Sequence, residues 1–299
     1  MFKIIQKRFW WYLLSLLVLV PGIVSLGLWG LKLGNDFTGG SLIEYKLSKA
    51  VDLPAIEVVL QPLDLGKFTL VPLETDSVTI KLKTIDQETA DKIHEAIVEK
   101  YPEAVVQSFE SIGPTIGAEL RQKAFTMTVL VLLGILLYVT FAFRSVGKNS
   151  PISSWTFGGA TLVALLHDTL IVVGIVSILG HFFNFEVDTL FVTALLTVLG
   201  FSVHDTIVVF DRIRERLRIS SEKSFELIVN ESINQTLVRS INTSATVLIV
   251  LTALYLFGGH TLRDFIFVLI IGITAGTYSS IFVASPLLVT WERWKAKRA

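Results

Sequence analysis

Long apolar runs alternate with polar connectors along most of the chain. Six of these runs are long enough to cross a bilayer as helices, because about 30 Å of hydrocarbon requires roughly 17 to 25 residues at about 1.5 Å each. The predicted spans cover residues 10–31, 123–143, 155–180, 188–210, 240–258 and 264–290. The pattern therefore predicts an α-helical, polytopic membrane protein with six transmembrane helices.

Residues 32–121 follow a different pattern, which predicts one α+β domain between the first two spans. Apolar and polar side chains alternate in short segments such as 78–83, and apolar positions recur at helical spacing between them. Asp52 is expected to cap the first helix, and Thr84 with Gln87 forms a capping-box pattern before the second. The order β-α-β-β-α-β is that of a ferredoxin-like unit.

The chain is thus predicted to have three parts. Residues 1–31 hold the N-terminus and the first span, residues 32–121 form the external domain, and residues 122–299 hold five further spans and a basic tail. The first apolar run exceeds the roughly 7 to 15 residues of a cleavable signal peptide, so we expect it to be retained. Residues 211–239 are polar but patterned, which predicts an amphipathic cytoplasmic helix along the membrane surface.

Composition agrees with this architecture and excludes several kinds of site. Hydrophobic residues make up 52% of the chain and charged residues only 17%, whereas soluble domains are about a quarter charged. The formal net charge is zero, so the overall charge gives no indication of a nucleic-acid partner. The absence of cysteine excludes disulfides, thiolate metal ligands and a cysteine nucleophile.

Basic residues beside the spans predict the orientation of the chain in the membrane. They lie before the first span, between the second and third, after the fourth and at the end of the chain: Lys3, Lys7, Arg8, Arg144, Lys148, Arg212, Arg214, Arg216, Arg218, Lys223, Arg293, Lys295, Lys297 and Arg298. The short connectors on the opposite side contain only Arg263. Because basic residues are enriched on the cytoplasmic side, both termini are predicted to be cytoplasmic.

Ionisable residues inside the apolar spans are the candidate functional residues. His167 and Asp168 lie near the middle of the third span. His204 and Asp205 lie in the fourth, and Arg239 lies at the start of the fifth. A charge at the bilayer centre costs about 2.5–3.5 kcal/mol even on lenient scales, so such residues usually serve a function. A buried Asp near an Arg of a neighbouring helix has a protonation state that depends on their distance, which makes the pair a candidate proton gate.

Structural interpretations compete with proton coupling. Polar side chains also hydrogen-bond between membrane helices, which is the preferred interpretation for the Ser and Thr residues. It is disfavoured for Asp168 and Asp205, because Asn would bond as well without the ionisation penalty. A metal site is disfavoured too, because adjacent His and Asp side chains point about 100° apart and offer at most one ligand per pair. Gly272 and Gly276 in the sixth span are predicted to allow close helix approach.

Three sequence motifs are long and specific: Asp36-Phe-Thr-Gly39-Gly40 with Glu44, GFSVHDTIVVFDRIRE at 200–215, and NQTLVRSINTS at 234–244. They resemble those of the SecD/SecF family of bacterial protein-export membrane subunits, SecF in particular. The resemblance covers nearly the whole chain and implies one half of an RND-type transporter, completed by SecD as a heterodimer. It also implies work with the SecYEG channel, YajC and a translocating preprotein in the lipid of the inner (plasma) membrane, with the external domain periplasmic.

By this resemblance, the pair uses the proton motive force to promote preprotein translocation and release on the outer side, without enzyme activity, cofactor, metal or nucleic acid. Asp205 and Arg239 occupy the ion-coupling positions, and Asp168 with His167 forms a relay. His204 departs from the family pattern, in which Asn is common, and adds a titratable group beside Asp205.

Two other functions remain as alternatives. A half-transporter that exports small amphiphiles by ion coupling would usually need larger external domains with an apolar cleft. An intramembrane metal hydrolase would need at least about three convergent ligands and a water site.

Overall fold

The computed structural model describes residues 1–73, 75–144, 152–219 and 224–298. The chain divides into two compact units, one formed by Met1–Lys32 with Thr126–Ala299 and the other by Leu33–Phe125. The second unit thus ends at Phe125, whereas the sequence pattern placed the end of the domain at residue 121. Lys148 and Lys223, two of the basic residues used to predict orientation, lie outside the described residues.

Helices make up most of the described chain. In chain order they are α1 (Arg8–Trp29), α2 (Asn35–Thr38), α3 (Leu53–Leu60), α4 (Gln87–Lys100), α5 (Pro114–Ala142), α6 (Ser154–Phe183), α7 (Thr189–Ile219), α8 (Phe225–Phe257), α9 (Arg263–Ser279) and α10 (Ser285–Ala296).

The structure confirms the predicted number of spans in the described residues, because α1, α5, α6, α7, α8 and the joined α9 and α10 give six candidate membrane helices. Between 44% and 61% of the most apolar window is buried in α6, α7 and the last span, against 11–17% in α1, α5 and α8. The chain is therefore a multi-pass membrane protein in which α6, α7 and the last span form the interior of the bundle.

Among the described residues, the segment 211–239 is not a helix of its own. The segment is shared between the end of α7 and the start of α8. The Ser224 hydroxyl accepts a hydrogen bond from the Leu227 N–H at 3.4 Å and caps α8. Val229 and Ile233 are buried in the core of the bundle, so the apolar side of this segment packs on protein rather than on the membrane surface.

The α+β unit has the predicted order of elements. Its strands are β1 (Gly40–Lys46), β2 (Thr69–Pro72), β3 (Ser77–Leu82) and β4 (Val105–Ile112), in an antiparallel sheet of order β2-β3-β1-β4. Ile43 of β1 lies between Ile80 of β3 and Phe109 of β4. Ile43 and Ile80 form the core with Ile56 of α3 and Ile93 of α4. This is the ferredoxin-like arrangement, with its hydrophobic core between the sheet and the two helices.

The helix caps of this unit were predicted only in part. The Asp52 carboxylate accepts a hydrogen bond from the N–H of Ala55, the third residue of α3, at 3.3 Å, as expected. The cap of α4, however, is Asp86 and not Thr84. The Asp86 carboxylate accepts hydrogen bonds from the Thr89 N–H at 3.0 Å and the Thr89 hydroxyl at 2.7 Å. The Thr84 hydroxyl instead donates to a carbonyl at the end of β4, because the helix begins later than the capping-box pattern indicated.

Two glycines form the turn that leads into β1. Gly39 has φ +76° and Gly40 has φ +144°, which are conformations that a side chain disfavours. A Cβ on Gly39 would also lie 2.9 Å from the backbone of Pro114, and a Cβ on Gly40 would lie 2.2 Å from Asn35 Oδ1. The Asn35 side-chain amide donates to the Gly40 carbonyl at 3.0 Å and closes the turn. A side chain at either position would therefore be strained by the backbone conformation and would clash with neighbouring atoms.

Glycines also set the distance between α7 and α9. A Cβ on Gly272 would lie 2.2 Å from a methyl carbon of Val198, and one on Gly276 would lie 2.8 Å from the Cβ of Ser202. Both distances are far below the roughly 3.5–4.0 Å at which carbon atoms pack. The predicted close helix approach at this glycine pair is confirmed, and it brings α9 against the polar part of α7.

Candidate functional site

Asp168 of α6 is the centre of a buried hydrogen-bond network that joins three helices. Its Oδ2 accepts a hydrogen bond from the Ser202 hydroxyl of α7 at 2.6 Å and one from the Ser279 hydroxyl of α9 at 2.8 Å. Its Oδ1 lies 3.0 Å from His167 Nδ1. The Asp168 side chain is fully buried, so its oxygens depend on these donors rather than on bulk water.

His167 extends the network toward α1. When Nδ1–H donates to Asp168, the other ring nitrogen of a neutral imidazole is an acceptor. That nitrogen, Nε2, is buried and has no hydrogen-bond partner among the described residues. The ring stacks on Tyr278 with centroids 6.1 Å apart, and the Tyr278 hydroxyl donates to the Trp11 carbonyl at 2.7 Å. The Nε2 position of His167 is therefore buried and open among the described residues.

Asp205 of α7 lies close to one helical turn after Ser202. Its side chain is only 5% exposed and faces Ser240 of α8. Neither Asp205 Oδ2 nor Ser240 Oγ meets hydrogen-bond geometry with any group in the part of the chain that the structure describes. Buried polar atoms are normally paired, and among the described residues Asp205 Oδ2 is the only carboxyl oxygen that is buried without a partner.

A π-helical turn in the last span positions two hydroxyl groups of the site. The turn begins at Ser280, directly after Ser279, and the Ser280 hydroxyl lies 2.8 Å from the Thr206 hydroxyl of α7. Pro286 follows the turn, and its ring would clash with a carbonyl one turn earlier in a regular α-helix. The wider turn avoids this clash, and it leaves Ser279 directed at α6 and Ser280 directed at α7.

His204 and Arg239 do not belong to the buried site. Both residues are exposed, and Arg239 forms no ion pair with Asp205 among the described residues. They lie on a surface that we call the polar stripe, which consists of exposed residues on α7 and α8: Thr193, Thr197, Gly200, His204, Arg239, Asn242, Thr243 and Thr246. The structure thus brings His167 to Asp168, but it does not bring Arg239 to Asp205.

The other predicted motif residues belong to the α+β unit. Asp36 of α2 and Glu44 of β1 are half-buried, on either side of the turn at Gly39 and Gly40. Across the described ranges, no group of three His, Cys, Asp or Glu side chains lies close enough to hold a metal ion.

Ser279 and Tyr278 were not predicted to be site residues. The signal in the sequence was the polar run from Thr277 to Ser280 inside an otherwise apolar span. That run alone does not indicate which helix it faces, because the rotation of a membrane helix is set by its neighbours. The contact with Asp168 depends on the glycine packing of α9 and on the π-helical turn that follows.

Residues 92–294, more than half of the chain, match the family model described as protein export membrane protein SecD/SecF, C-terminal. The chain belongs to the SecD/SecF family. The SecD/SecF GG motif matches residues 24–51, which include the turn at Gly39 and Gly40. The family motif therefore coincides with two positions at which the backbone excludes a side chain.

Relatives in the SecD/SecF family match almost the full chain. A protein of Thermobaculum terrenum is 44% identical and one of Anaerolinea thermophila is 42% identical, each over 98% of this chain and 94% of the relative. Both are named protein translocase subunit SecF, which is a transport name rather than that of an enzyme.

Two solved SecDF structures are similar in fold, each at 34% identity. The structure of SecDF, a translocon-associated membrane protein from Thermus thermophilus, matches with a TM-score of 0.83 over 98% of this chain and 39% of the SecDF chain. SecDF in a super-membrane-facing form matches with a TM-score of 0.70 over 99% of this chain and 40% of the other. The present chain thus spans about two fifths of the length of these SecDF chains.

Proposed function

We propose that this chain is an auxiliary subunit of the Sec protein-export machinery that works with SecD and uses the proton motive force to promote preprotein translocation and release. The observation that carries this proposal is the pair of buried carboxyl groups, Asp168 and Asp205, in the apolar bundle of a SecD/SecF family chain. The similarity to proteins named translocase subunits supports the role in export.

Asp205 is the proton carrier in this proposal. Its Oδ2 faces the Ser240 hydroxyl without acceptable hydrogen-bond geometry, so a proton that binds there displaces at most this one contact. Asp168 and His167 form the relay, because Ser202 connects Asp168 to the next turn of α7 and His167 Nε2 is open. One charge that crosses about 100 mV gains roughly 2.3 kcal/mol, which is comparable to the free-energy difference between two conformers of a protein.

The polar stripe is the surface that we assign to SecD. Arg239 is exposed at the edge of the fifth predicted span, where a cation beside lipid favours a polar partner. This chain matches less than half of a SecDF chain, which supports the presence of a second, similar subunit beside it in the membrane. In the assembled pair, Arg239 approaches Asp205 as its counter-charge during one step of the cycle, and His204 faces SecD.

The remaining parts of the proposal concern location and further partners. The basic residues beside the spans, with only Arg263 in the opposite connectors, favour an inner (plasma) membrane protein with both termini in the cytoplasm. The α+β unit then lies on the outer side, where it holds the emerging preprotein. The SecYEG channel and YajC complete the assembly.

Replacement of Asp205 by Asn tests the proposal. Proteoliposomes that contain this chain, SecD and SecYEG should lose the increase in preprotein translocation that a proton gradient causes, because Asn cannot bind or release the proton. Translocation without a gradient and co-purification with SecD should be unchanged.

The matched control is Asp211→Asn on the same helix, because Asp211 is exposed and forms an ion pair with Arg214 outside the buried site. This variant should keep the full response to the gradient. Gradient-dependent export at the wild-type level in Asp205→Asn would remove Asp205 from the role of proton carrier.

A further inference from the structure

A cavity of about 890 Å³ lies beside the bundle, between the N-terminal segment, α8 and the last span. Its α8 wall is mostly apolar and consists of Leu237, Ile241, Ala245 and Leu248 with the hydroxyl-bearing Ser244. The volume falls within the roughly 300–1,000 Å³ of small-molecule binding pockets. Neither Asp168 nor Asp205 lines the cavity, although Tyr278, whose ring stacks on His167, does.

The α8 wall of the cavity is about as long as one leaflet of a bilayer is thick. Leu237 and Leu248 are eleven residues apart on α8, which corresponds to about 16 Å at 1.5 Å per residue. Half of a hydrocarbon core of about 30 Å is about 15 Å. A single acyl chain that follows α8 therefore matches the length of this wall.

Two lysines give one end of the cavity a positive charge. Lys3 and Lys7 line the cavity, and both are exposed without an ion pair among the described residues. Arg8 differs, because it is buried and its guanidinium lies 3.6 Å from the carboxylate of Glu226. The bundle thus uses Arg8 for its own structure and leaves two cations at the mouth of an apolar cavity.

The N-terminal segment that carries these lysines is fixed to α8. The Asn234 side chain accepts a hydrogen bond from the Phe2 N–H at 2.7 Å, and the Asn230 side chain accepts one from the Ile4 N–H at 2.9 Å. Both asparagine amides donate back to the Phe2 carbonyl, at 3.0 Å from Asn230 and 2.9 Å from Asn234. The two lysines therefore stand on a backbone that is already ordered against the cavity wall.

The cavity lies away from the surface assigned to SecD. Each residue of an α-helix turns about 100°, so Leu237 and Ile241, two positions before and after Arg239, point about 160° away from it. The polar stripe and the cavity thus occupy opposite sides of α8. A lipid, rather than SecD, is the neighbour expected on the cavity side.

We propose that this cavity binds one anionic phospholipid. Its acyl chain lies along Leu237, Ile241 and Leu248, and its phosphate group contacts Lys3 and Lys7. The combination of an apolar wall of one-leaflet length with two cations at a single end is the complement of such a lipid.

Native mass spectrometry of the full, delipidated chain tests this site, with phosphatidylglycerol and phosphatidylcholine of identical acyl chains as the two probes. The wild-type chain should bind phosphatidylglycerol more tightly than phosphatidylcholine. The double variant Lys3→Gln, Lys7→Gln should bind phosphatidylglycerol about 30-fold more weakly, at roughly 1 kcal/mol for each basic residue. Its binding of phosphatidylcholine, whose phosphate charge is offset by the choline cation, should change much less.

A bulky residue in the apolar wall tests the acyl-chain contact independently. Ala245→Trp should weaken the binding of both lipids. Ala245→Leu should weaken it to a smaller extent, and this variant replaces Ala245→Trp in the test if the tryptophan disturbs folding. The matched control is Lys295→Gln, Lys297→Gln, which removes two exposed cations of the C-terminal tail outside the cavity and should leave the preference for phosphatidylglycerol intact.

Three results would overturn the proposal. The first is wild-type binding of phosphatidylglycerol in both the Lys3, Lys7 double variant and the Ala245 variants. The second is a loss of the preference for phosphatidylglycerol only in the tail control. The third is displacement of the lipid by SecD in the co-purified complex, which would show that a protein partner covers the cavity.

Discussion

Replacement of Ser279 by alanine tests whether Asp168 accepts its hydrogen bonds as an anion. The Ser202 hydroxyl, the Ser279 hydroxyl and His167 Nδ1 lie 2.6, 2.8 and 3.0 Å from the oxygens of Asp168. If all three donate, Asp168 only accepts, which is the hydrogen-bonding role of the ionised form. A hydrogen bond to a charged group contributes about 1.5–3 kcal/mol, whereas a neutral one contributes about 0.5–1.5 kcal/mol. Ser279→Ala should therefore lower the free energy of unfolding by about 1.5–3 kcal/mol in the wild-type chain.

The same substitution should cost less when the acceptor is neutral. In the Asp168→Asn background, Ser279→Ala should cost only about 0.5–1.5 kcal/mol, so the double-mutant cycle should give a coupling of about 1 kcal/mol or more. Unfolding in mixed micelles, followed by tryptophan fluorescence, measures all four free energies. Ser244→Ala is the control, because the Ser244 hydroxyl pairs with the neutral Thr277 hydroxyl at 2.6 Å and should cost the same in both backgrounds. Equal costs of Ser279→Ala in both backgrounds would refute an ionised acceptor.

Two further predictions concern the α+β unit. Gly39→Ala should lower the melting temperature more than Gly66→Ala. Both glycines have a positive φ, but only at Gly39 would an added Cβ lie 2.9 Å from backbone atoms, those of Pro114. Equal losses of melting temperature would contradict the packing argument. The Thr89 hydroxyl and N–H hold the pKa of Asp86 below its ordinary value of 3.8. A folded-state pKa below the unfolded one stabilises the fold above pH 3.8, and this stabilisation is lost as the pH falls through the folded-state value. Asp86→Ala should remove that part of the pH dependence of thermal unfolding.

Sequence patterns predicted the elements of the fold well, because hydrophobic length and periodicity determine them locally. A span needs only enough apolar residues, and the alternation around Ile43 and Ile80 required one buried face of a sheet. Boundaries were less predictable. The helix α7 continues nine residues past the predicted end at residue 210, to Ile219, because the polar residues after the span remain helical. The N-cap of α4 is Asp86 rather than the predicted Thr84, because the N–H and the hydroxyl of Thr89 both donate to the Asp86 carboxylate.

The candidate site was predicted by residue type and less well by arrangement. A carboxyl group in an apolar span is recognisable from the sequence, so Asp168 and Asp205 were both identified. The partners of these groups depend on how each helix is rotated against its neighbours, and a single helix pattern does not contain that information. For this reason Ser279 was missed, and the expected approach of Arg239 to Asp205 is not present in the structure.

The π-helical turn after Ser279 makes the length of the last span as important as its composition. A π turn contains about one residue more than an α turn, so α10 is rotated by about 100° relative to an uninterrupted helix. The buried positions Gly276 in α9 and Leu288 in α10 therefore follow two different helical phases. Deletion of one residue between 280 and 284 would merge these phases and turn α10 against its neighbours, although every hydrophobic residue outside the deletion would be kept. The residue count between Ser279 and Pro286 is thus itself a structural constraint on the site.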